Sequence, residues 1–316
     1  MSAVRSLEFR IPISPTRSFF HQVRFFEHAL RRLGGIYADA KLLVVVGDNT
    51  THDAIVREND WSLGRNVEWR CVPREIFDRY GIHGTADYRY VPETEADLLI
   101  LSDADTVLAR DLDPLVTSID ATRAVVAGHM AHYPPPHPDH GPLANVDPNE
   151  LWPALLAAFE AASPQEWHRH SMDIERLRPL APPYFNLGFV ALTQPALAIF
   201  RDEIWGTHNR FLEIFPTFMR CQLAVTIVAL RAGMRLETLS PQYNLANDIR
   251  HLICNQIAAD DARVIHYLRN DELKREEMVL PENLPHVLSR RYENPVNQRL
   301  QQILRAYAAA EFDINA

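Results

Sequence analysis

Apolar residues along the first 130 positions fall into short unbroken runs separated by segments of mixed polarity. Five runs are typical of strands, at 9–14, 41–46, 67–72, 98–101 and 124–127. The run at 41–46 has no polar alternation, which indicates a strand covered on both faces, as in a parallel sheet. Between the first two runs, residues 19–33 carry apolar side chains at helical spacing and end at Gly34-Gly35. This β-α-β order predicts an α/β fold with a mostly parallel, doubly wound sheet and flanking helices.

The second half of the chain continues the pattern after one interruption. Residues 133–148 contain so many prolines that neither helix nor sheet is expected there, and we predict a long ordered loop or lid as an insert near 133–182. Helices are predicted at 150–162, 195–215, 219–232 and 296–309, and strands at 189–192, 235–239 and 263–267. Because no repeat or linker marks a boundary, we expect one elaborated domain over 1–280 with a C-terminal helical extension, 281–316, packed on it.

Composition narrows the possible partners. The net charge of -9 disfavours a general nucleic-acid or anionic-membrane surface, and no apolar run approaches the length of a transmembrane span. The first residues lack the apolar region of a signal peptide. Three widely spaced cysteines suit a reducing compartment. We therefore expect a cytoplasmic protein without a transmembrane segment.

The segment at 96–107 carries the clearest chemical signal. An apolar strand delivers Asp103 and Asp105 at its end, and side chains two residues apart in extended chain point to the same side. Two carboxylates so close repel each other unless a cation, hydrogen bonds or a raised pKa compensates. The pair predicts a divalent-cation site. The same residues are also consistent with a strand followed by a polar turn whose aspartates are solvated.

Three further segments occur in a fixed order around this pair: Tyr88-Arg89-Tyr90 before it, and Asn186-Leu-Gly188 and Val-Ile-His266 after it. Together the four segments resemble the GT-A-fold glycosyltransferases, in particular the family of glycogenin and the lipopolysaccharide galactosyltransferases, glycosyltransferase family 8. The resemblance covers most of residues 7–270. It implies a GT-A fold, with a Rossmann-like sheet, and transfer of a sugar from a nucleotide-sugar donor.

In this family the Asp-x-Asp motif and a late histidine hold a metal. The resemblance implies that Asp103, Asp105 and His266 bind Mn²⁺ or Mg²⁺, with Ala104 of the motif and Arg89 also contacting the donor. It further implies a UDP-sugar and retention of configuration. A divalent ion suits this chemistry because it neutralises the charge that develops on the leaving diphosphate. Considered alone, His266 is more typical of a core or strand-end histidine, and Arg89 is more typical of a surface charge.

The remaining positions that match the family surround the transferred sugar and the nucleotide. Asn186 and Gln222 are the candidate catalytic residues, Gly188 permits close backbone approach, and Ile13 and Ser14 follow the first strand where the nucleoside is held. The Asn186 and Gly188 segment is also consistent with a plain tight turn. Gln222 cannot act as a strong nucleophile, and its carbonyl oxygen would steady an oxocarbenium-like centre.

Two departures from the family set limits on the resemblance. Cys221 and Leu223 replace the acids that flank the family's glutamine, which puts the donor sugar in doubt. After His266 the family's lysine motif is missing, so Arg269 or Lys274 would take the diphosphate role, unless this basic segment is simply a solvated charge run.

Other functions remain open from the sequence. The motif at Asp103 and Asp105 also resembles the nucleophile motif of haloacid-dehalogenase phosphatases, but those enzymes open their fold with it and place their lysine before a late acidic pair, whereas Lys274 follows Asp260-Asp261. A nucleotidyltransferase is disfavoured because this chain has no basic glycine-rich loop after its first strand. A non-catalytic sugar- or metal-binding module is the remaining alternative. Four histidines lie in or just before the proline-rich segment without zinc-site spacing, namely His129, His132, His137 and His140. An acceptor-facing lid explains this part of the chain better than a zinc site.

Overall fold

The computed structural model describes residues 4–170 and 180–314. Its strands in chain order are β1 (Leu7–Ile13), β2 (Lys41–Val46), β3 (Val67–Cys71), β4 (Leu98–Ser102), β5 (Thr106–Leu108), β6 (Val125–Met130), β7 (His168–Arg169), β8 (Leu180–Ala181), β9 (Phe185–Thr193), β10 (Arg235–Thr238), β11 (Leu245–Ala246) and β12 (Val264–His266). Its helices are α1 (Arg17–Arg32), α2 (Gly35–Ala38), α3 (His52–Glu58), α4 (Arg74–Tyr80), α5 (Ile82–Tyr88), α6 (Asp113–Ser118), α7 (Pro148–Ala158), α8 (Gln194–Ile214), α9 (Arg220–Arg231), α10 (Ile249–Asn255), α11 (Leu284–Ser289) and α12 (Pro295–Phe312).

The central sheet of the described chain has seven strands in the order β10-β6-β9-β4-β1-β2-β3. All neighbours pair in parallel except β9, which is antiparallel to β4 and β6. The predicted mostly parallel α/β sheet is therefore confirmed. The chain winds outward from β1 through β2 to β3 and then returns to β4 on the other side of β1. The carboxyl ends of β1 and β4 form the switch point where ligands bind in such sheets.

Apolar side chains cover both faces of this sheet. Leu42, Val44 and Val46 of β2 belong to a core on one face, and Leu99 and Leu101 of β4 belong to a core on the other. This burial explains why the strand sequences are apolar without interruption, because successive side chains point to opposite faces of the sheet and both faces are buried.

A three-stranded sheet, the antiparallel pair of β7 and β8, and the C-terminal helices are added to the central sheet. The order β11-β12-β5 places β12 antiparallel to β5, the strand that directly follows the Asp-x-Asp segment. The ring of Tyr307 in α12 packs against Phe25 of α1 with centroids 5.1 Å apart. Within the described residues, none of the helices is long and apolar enough to cross a membrane.

The predicted strands and long helices lie within a few residues of the observed ones. The prediction contained no β5 and did not give the antiparallel direction of β9, and it expected only short helical or loop pieces, without bounds, where α3 to α6 lie. The predicted insert near 133–182 includes residues 171–179, which lie outside the described part. Within the described part, the segment after β6 contains α7, whose Leu151, Trp152 and Leu155 are fully buried.

Candidate active site at the carboxyl edge of the sheet

Asp103 and Asp105 lie where β4 leaves the sheet and β5 begins. Hydrogen bonds fix this turn from within: the hydroxyl of Thr106 donates to the carbonyl oxygen of Asp103 at 2.7 Å and lies 2.7 Å from the hydroxyl of Ser102. The amide of Tyr267, directly after β12, donates to the carbonyl oxygen of Asp105 at 2.9 Å. The predicted pair is therefore held between two strands of different sheets.

His266 ends β12 and faces Asp105. Its Nε2 lies 3.2 Å from Asp105 Oδ1, and its Nδ1 lies 3.0 Å from Asn244 Oδ1. The Asn244 amide is oriented in turn, because its Nδ2 donates to Asn186 Oδ1 at 2.9 Å. An amide oxygen only accepts, so His266 carries a proton on Nδ1 and directs Nε2 at the carboxylates. This is the orientation that a metal-ligating histidine needs.

The donor set suits a divalent cation. Single ligand atoms of Asp103, Asp105 and His266 all lie within 4.8 Å of one another. Two carboxylates and one imidazole bind Mn²⁺ well and accept Mg²⁺. Asp103 is about a third exposed, with a relative side-chain accessibility of 36%, whereas Asp105 at 13% and His266 at 6% are largely buried. The residues present therefore fit the metal that the sequence predicts.

Charges around Asp105 set the protonation of the group. Burial opposes ionisation, yet the neighbouring His266 and Arg275 lower the pKa of Asp105 to about 2. Burial together with the Asp105 carboxylate raises the pKa of Asp103, against the lowering effect of Arg89. The pKa of His266 is raised, because the attraction of Asp105 outweighs the effect of burial. Both His266 and Arg275 therefore favour the ionised form of Asp105.

Arg89 is a buried residue and not a surface charge. It is 1% exposed, its Nη1 donates to the Ser102 carbonyl at 3.2 Å, and the same nitrogen lies 3.7 Å from Asp103 Oδ1. Its own carbonyl accepts a hydrogen bond of 2.5 Å from Arg10, a fully buried arginine of β1 that is paired with Glu8 at 2.6 Å. The predicted arginine thus lies beside the first aspartate, with a support in β1 that the sequence did not reveal.

Asn186 and Gly188 form the start of β9 below the histidine. Asn186 Oδ1 accepts from the amide of Gly188 at 2.9 Å and from Asn244, so its carbonyl oxygen serves the framework. A Cβ on Gly188 would lie 2.4 Å from the ring of His266. Gly188 is therefore required by the approach of the histidine.

Gln222 lies in the first turn of α9 and faces the start of β9. Its Nε2 donates to the hydroxyl of the buried Tyr184 at 2.7 Å, and its Oε1 accepts from the amide of Leu187 at 3.4 Å. The neighbours that replace the family's acids, Cys221 and Leu223, are buried at 6% and 0% exposure. Gln222 is thus held in a defined orientation between two residues that face the protein interior.

The other residues that were predicted to contact the donor differ in their exposure. Ile13 is buried and Ser14 partly exposed at the end of β1, beside β4. Ala104 is 3% exposed, so its side chain faces inward, and its carbonyl accepts from the Tyr267 hydroxyl at 3.0 Å.

The basic residues after His266 point in three directions. Arg269 donates to Asp248 at 3.1 Å and to the hydroxyl of Tyr133 at 2.9 Å. Lys274 is 69% exposed and pairs with Glu277 at 3.7 Å. Arg275, which the sequence did not single out, donates from Nη1 to Asp105 Oδ2 at 2.8 Å. Of these basic residues, the one that contacts Asp105 is therefore neither Arg269 nor Lys274 but Arg275, the neighbour of Lys274.

A second group of potential ligands lies under α9. Asp87, His208 and Cys221 bring their ligand atoms within 4.8 Å of one another. Arg220, however, donates from Nε to His208 Nε2 at 2.9 Å, which leaves the proton on Nδ1 to donate to Asp87 at 2.5 Å. A nitrogen that donates this proton offers no lone pair to a cation. The group is a hydrogen-bonded network that joins α5, α8 and α9.

The four histidines in or just before the proline-rich region divide between two environments, and His129 lies before that region, in β6. His137 stacks on Tyr133 with centroids 4.6 Å apart, and His140 contacts the Tyr133 carbonyl at 3.0 Å. His129 instead meets His251 of α10, with their Nε2 atoms 3.3 Å apart.

That histidine pair does not favour zinc. His251 Nδ1 accepts from the amide of Ala246 at 2.8 Å, so its Nε2 carries the proton and donates to His129. Burial lowers the pKa of His251 to about 3 and that of His129 to about 4, which keeps both rings neutral. His132 packs against the His251 ring at 4.8 Å.

Comparison of the sequence with protein-family models and with curated proteins finds no match. Solved structures do match the fold. The galactosyltransferase LgtC in complex with donor and acceptor sugar analogues superposes over 95% of this chain and 95% of its own, with a TM-score of 0.51 and 11% identity. Mouse xyloside xylosyltransferase 1, in its apo form, matches 85% of this chain and 99% of its own at a TM-score of 0.50 and 11% identity.

An active-site mutant of LgtC, with glutamate in place of a glutamine, matches 90% of this chain and 98% of its own at a TM-score of 0.51 and 12% identity. The chain thus has the GT-A fold, as the sequence predicted, and its architecture resembles that of LgtC.

Proposed function

We propose that this chain is a metal-dependent glycosyltransferase that moves a sugar from a nucleotide sugar, a UDP-sugar, to an acceptor. The observation that carries the proposal is the convergence of Asp103, Asp105 and His266 at the switch point of a GT-A sheet. The structural neighbours support it, because one of them was solved with donor and acceptor sugar analogues and the others are also glycosyltransferases. The acceptor's chemistry, whether sugar, lipid, protein or small molecule, stays open.

Asp103, Asp105 and His266 would hold Mn²⁺, or Mg²⁺ in its place. When bound, the ion neutralises the charge that develops on the leaving diphosphate. Arg89, buried beside Asp103, adds a fixed positive charge at the same edge. Ile13 and Ser14 lie at the adjoining end of β1, where they would contact the nucleoside.

Among the basic residues after β12, Arg275 is placed to reach the diphosphate, because it already lies against Asp105. Arg269 is held by Asp248 and Tyr133, and Lys274 points to solvent. We therefore assign the main phosphate contact to Arg275, with Arg269 and Lys274 at the margin of the site.

Gln222 would act on the sugar. Its amide donates to Tyr184, which orients the dipole so that the carbonyl oxygen faces the start of β9. A fixed carbonyl dipole stabilises positive charge at the anomeric carbon, and it fits transfer with retention of configuration. Asn186 supports this end of the site through Gly188 and Asn244.

The donor sugar is expected to differ from that of relatives that flank the glutamine with acids. Cys221 and Leu223 are buried, so neither supplies a carboxylate to the sugar hydroxyls. A hydroxyl that was recognised by a carboxylate would lose a charge-assisted hydrogen bond here.

The phosphatase alternative is not favoured by this fold. Asp103 follows the fourth strand along the chain, after the sheet has already reversed direction at β1. Lys274, the lysine nearest in sequence to the site, pairs with Glu277 in solvent. A non-catalytic sugar- or metal-binding module would share the geometry, so turnover must decide.

The test is release of UDP from a panel of UDP-sugars with Mn²⁺, Mg²⁺ or EDTA, with and without simple acceptors. We expect slow hydrolysis of at least one donor that requires the metal and that stops in Asp105→Asn. Metal-dependent binding of UDP without turnover of any nucleotide sugar would favour the binding module. Release of phosphate from phosphomonoesters would favour the phosphatase.

A further inference from the structure

The two oxygens of Asp105 have different cationic partners. His266 Nε2 lies 3.2 Å from Oδ1, and Arg275 Nη1 donates to Oδ2 at 2.8 Å. The carboxylate that would ligate the metal is therefore already engaged on both sides by groups of this chain.

Arg275 combines a fixed backbone with a movable side chain. Its amide donates to Asn270 at 2.9 Å, and its carbonyl accepts from the buried Gln22 at 3.0 Å. The side chain is 39% exposed, and its other contact is a surface pair with Glu276 at 2.8 Å. Nothing but these two carboxylates holds the guanidinium among the described residues, so it can leave Asp105 without disturbing the chain around it.

A metal ion and the guanidinium compete for the same charge. Both require Asp105, and two cations within a few ångströms of each other repel strongly where water is scarce. Binding of the metal must therefore displace or weaken the Arg275 contact. A guanidinium that is released beside a diphosphate has an alternative partner, because arginine binds phosphate oxygens through paired N–H donors.

We propose that Arg275 is an internal cation that occupies Asp105 until an anionic nucleotide draws it away, so that the metal ion and the nucleoside diphosphate bind cooperatively. The inference rests on the proposed function of the Asp103, Asp105 and His266 site. It adds a reason for this cooperativity. UDP draws Arg275 away from Asp105 and so frees the metal ligand, and the metal ion displaces Arg275 and so frees it to bind the diphosphate. By linkage, the factor by which UDP tightens Mn²⁺ binding equals the factor by which Mn²⁺ tightens UDP binding.

The experiment measures Mn²⁺ affinity from free Mn²⁺ in electron paramagnetic resonance titrations, with and without UDP, at one pH. The variants are Arg275→Gln, Arg275→Lys and the control Arg235→Gln. Arg235 also donates to a carboxylate, Glu237 at 2.9 Å, but it begins β10 at the opposite edge of the sheet. The control therefore loses the same charge and the same kind of contact away from the site.

Without UDP, we expect Arg275→Gln to bind Mn²⁺ about fivefold more tightly than the wild type, because the competing cation is gone. With UDP, its advantage should vanish, so the tightening of Mn²⁺ binding by UDP should fall by about fivefold. Arg275→Lys keeps the charge and should lie between the two, and Arg235→Gln should match the wild type.

Two results would overturn the inference in different ways. If Arg275→Gln binds Mn²⁺ in the absence of UDP no more tightly than the wild type, the competition does not exist, while the proposed function stands. If neither the wild type nor any variant binds Mn²⁺, with or without UDP, the assignment of the metal site is wrong and both proposals fail together.

Discussion

At the scale of single residues, the site depends on how each charged side chain is aimed. The sequence pattern pointed to Asp103 and Asp105 as a pair after a buried strand, and His266 joined them only through the resemblance to the glycosyltransferase family. It did not show Asn244, whose amide oxygen fixes the His266 ring. That contact joins residues 22 positions apart, and no local pattern encodes it.

The first prediction concerns the second aspartate. Asp105→Asn keeps the shape of the side chain but removes the charge that opposes a cation, so Mn²⁺ affinity should fall by more than about a hundredfold with the fold retained. Thermal shift with Mn²⁺ and UDP measures the loss, since ligands that bind only the native state raise the melting temperature. Asp260→Asn, an exposed control, should behave as the wild type. Wild-type Mn²⁺ binding in Asp105→Asn would refute the metal-site assignment.

The second prediction concerns His266 and pH. Its folded pKa is raised above that of an unfolded histidine, so in metal-free protein its stabilising effect is complete below about pH 6.5 and is lost as pH rises through the folded value. Asp105, with a pKa of about 2, stays ionised throughout this range. Melting of wild type and His266→Gln without metal from pH 5 to 8.5 should show a gap that narrows with pH.

Metal binding by His266 should have the opposite pH dependence. The ring must lose its Nε2 proton before it ligates, so Mn²⁺ affinity of the wild type should weaken as pH falls through the raised pKa. In His266→Gln this dependence should largely disappear, and more Mn²⁺ should be needed at pH 8. An unaltered Mn²⁺ midpoint in the variant would show that His266 is a structural residue only.

At the scale of elements, the start of β9 determines whether β12 can deliver its histidine. A Cβ on Gly188 would meet the His266 ring at 2.4 Å and Asn186 Oδ1 at 2.8 Å. Gly188→Ala should therefore turn the ring away from Asp105, destabilise the fold by about 1–3 kcal/mol and weaken Mn²⁺ binding by about tenfold. Gly206→Ala is the matched control, because its Cβ meets nothing within 4 Å inside α8, and it should raise stability by up to about 1 kcal/mol. Urea unfolding and Mn²⁺ titration check both; full Mn²⁺ affinity in Gly188→Ala would contradict the steric argument.

Three helices are joined by the network of the buried Asp87 and His208 with the partly exposed Arg220. This network lies between the helix before Arg89 and the helix of Gln222. His208→Phe would remove the imidazole that donates to Asp87 and accepts from Arg220 Nε, at a cost of about 3 kcal/mol in urea unfolding. Adding Asp87→Leu should cost less than the sum of the single changes, because the unpaired carboxylate is then gone. Strict additivity would argue that the residues do not act as a unit. Asp202→Asn, exposed on α8, should change stability by less than about 0.5 kcal/mol.

At the scale of the whole molecule, the sequence predicted what local pattern determines and missed what pairing determines. The apolar run of β4 predicted a buried strand, and the order of elements predicted a doubly wound sheet. The antiparallel insertion of β9 between β4 and β6 could not be read, because side-chain alternation is the same in either direction. The choice between Lys274 and Arg275 was equally hidden, since it depends on how the chain turns after β12. His251 meets His129 from 122 residues away, so spacing within the proline-rich region could not reveal the pair.

The last prediction concerns the segment that joins β6 to α7. Its far end is anchored, because Trp152 of α7 is fully buried, and its near end is tied to the site where Tyr133 accepts from Arg269. Arg269 lies three residues after His266, so a ligand that orders the metal site also steadies the partner of Tyr133. Cleavage of residues 133–147 by proteinase K, mapped by mass spectrometry, should therefore slow by about tenfold or more with saturating UDP and Mn²⁺. Cleavage at the exposed Leu63, in a turn before β3, serves as the internal control and should keep its rate. Equal cleavage rates with and without ligands would mean that residues 133–147 form a fixed wall on the acceptor side. Exclusion of water would then have to come from the acceptor itself.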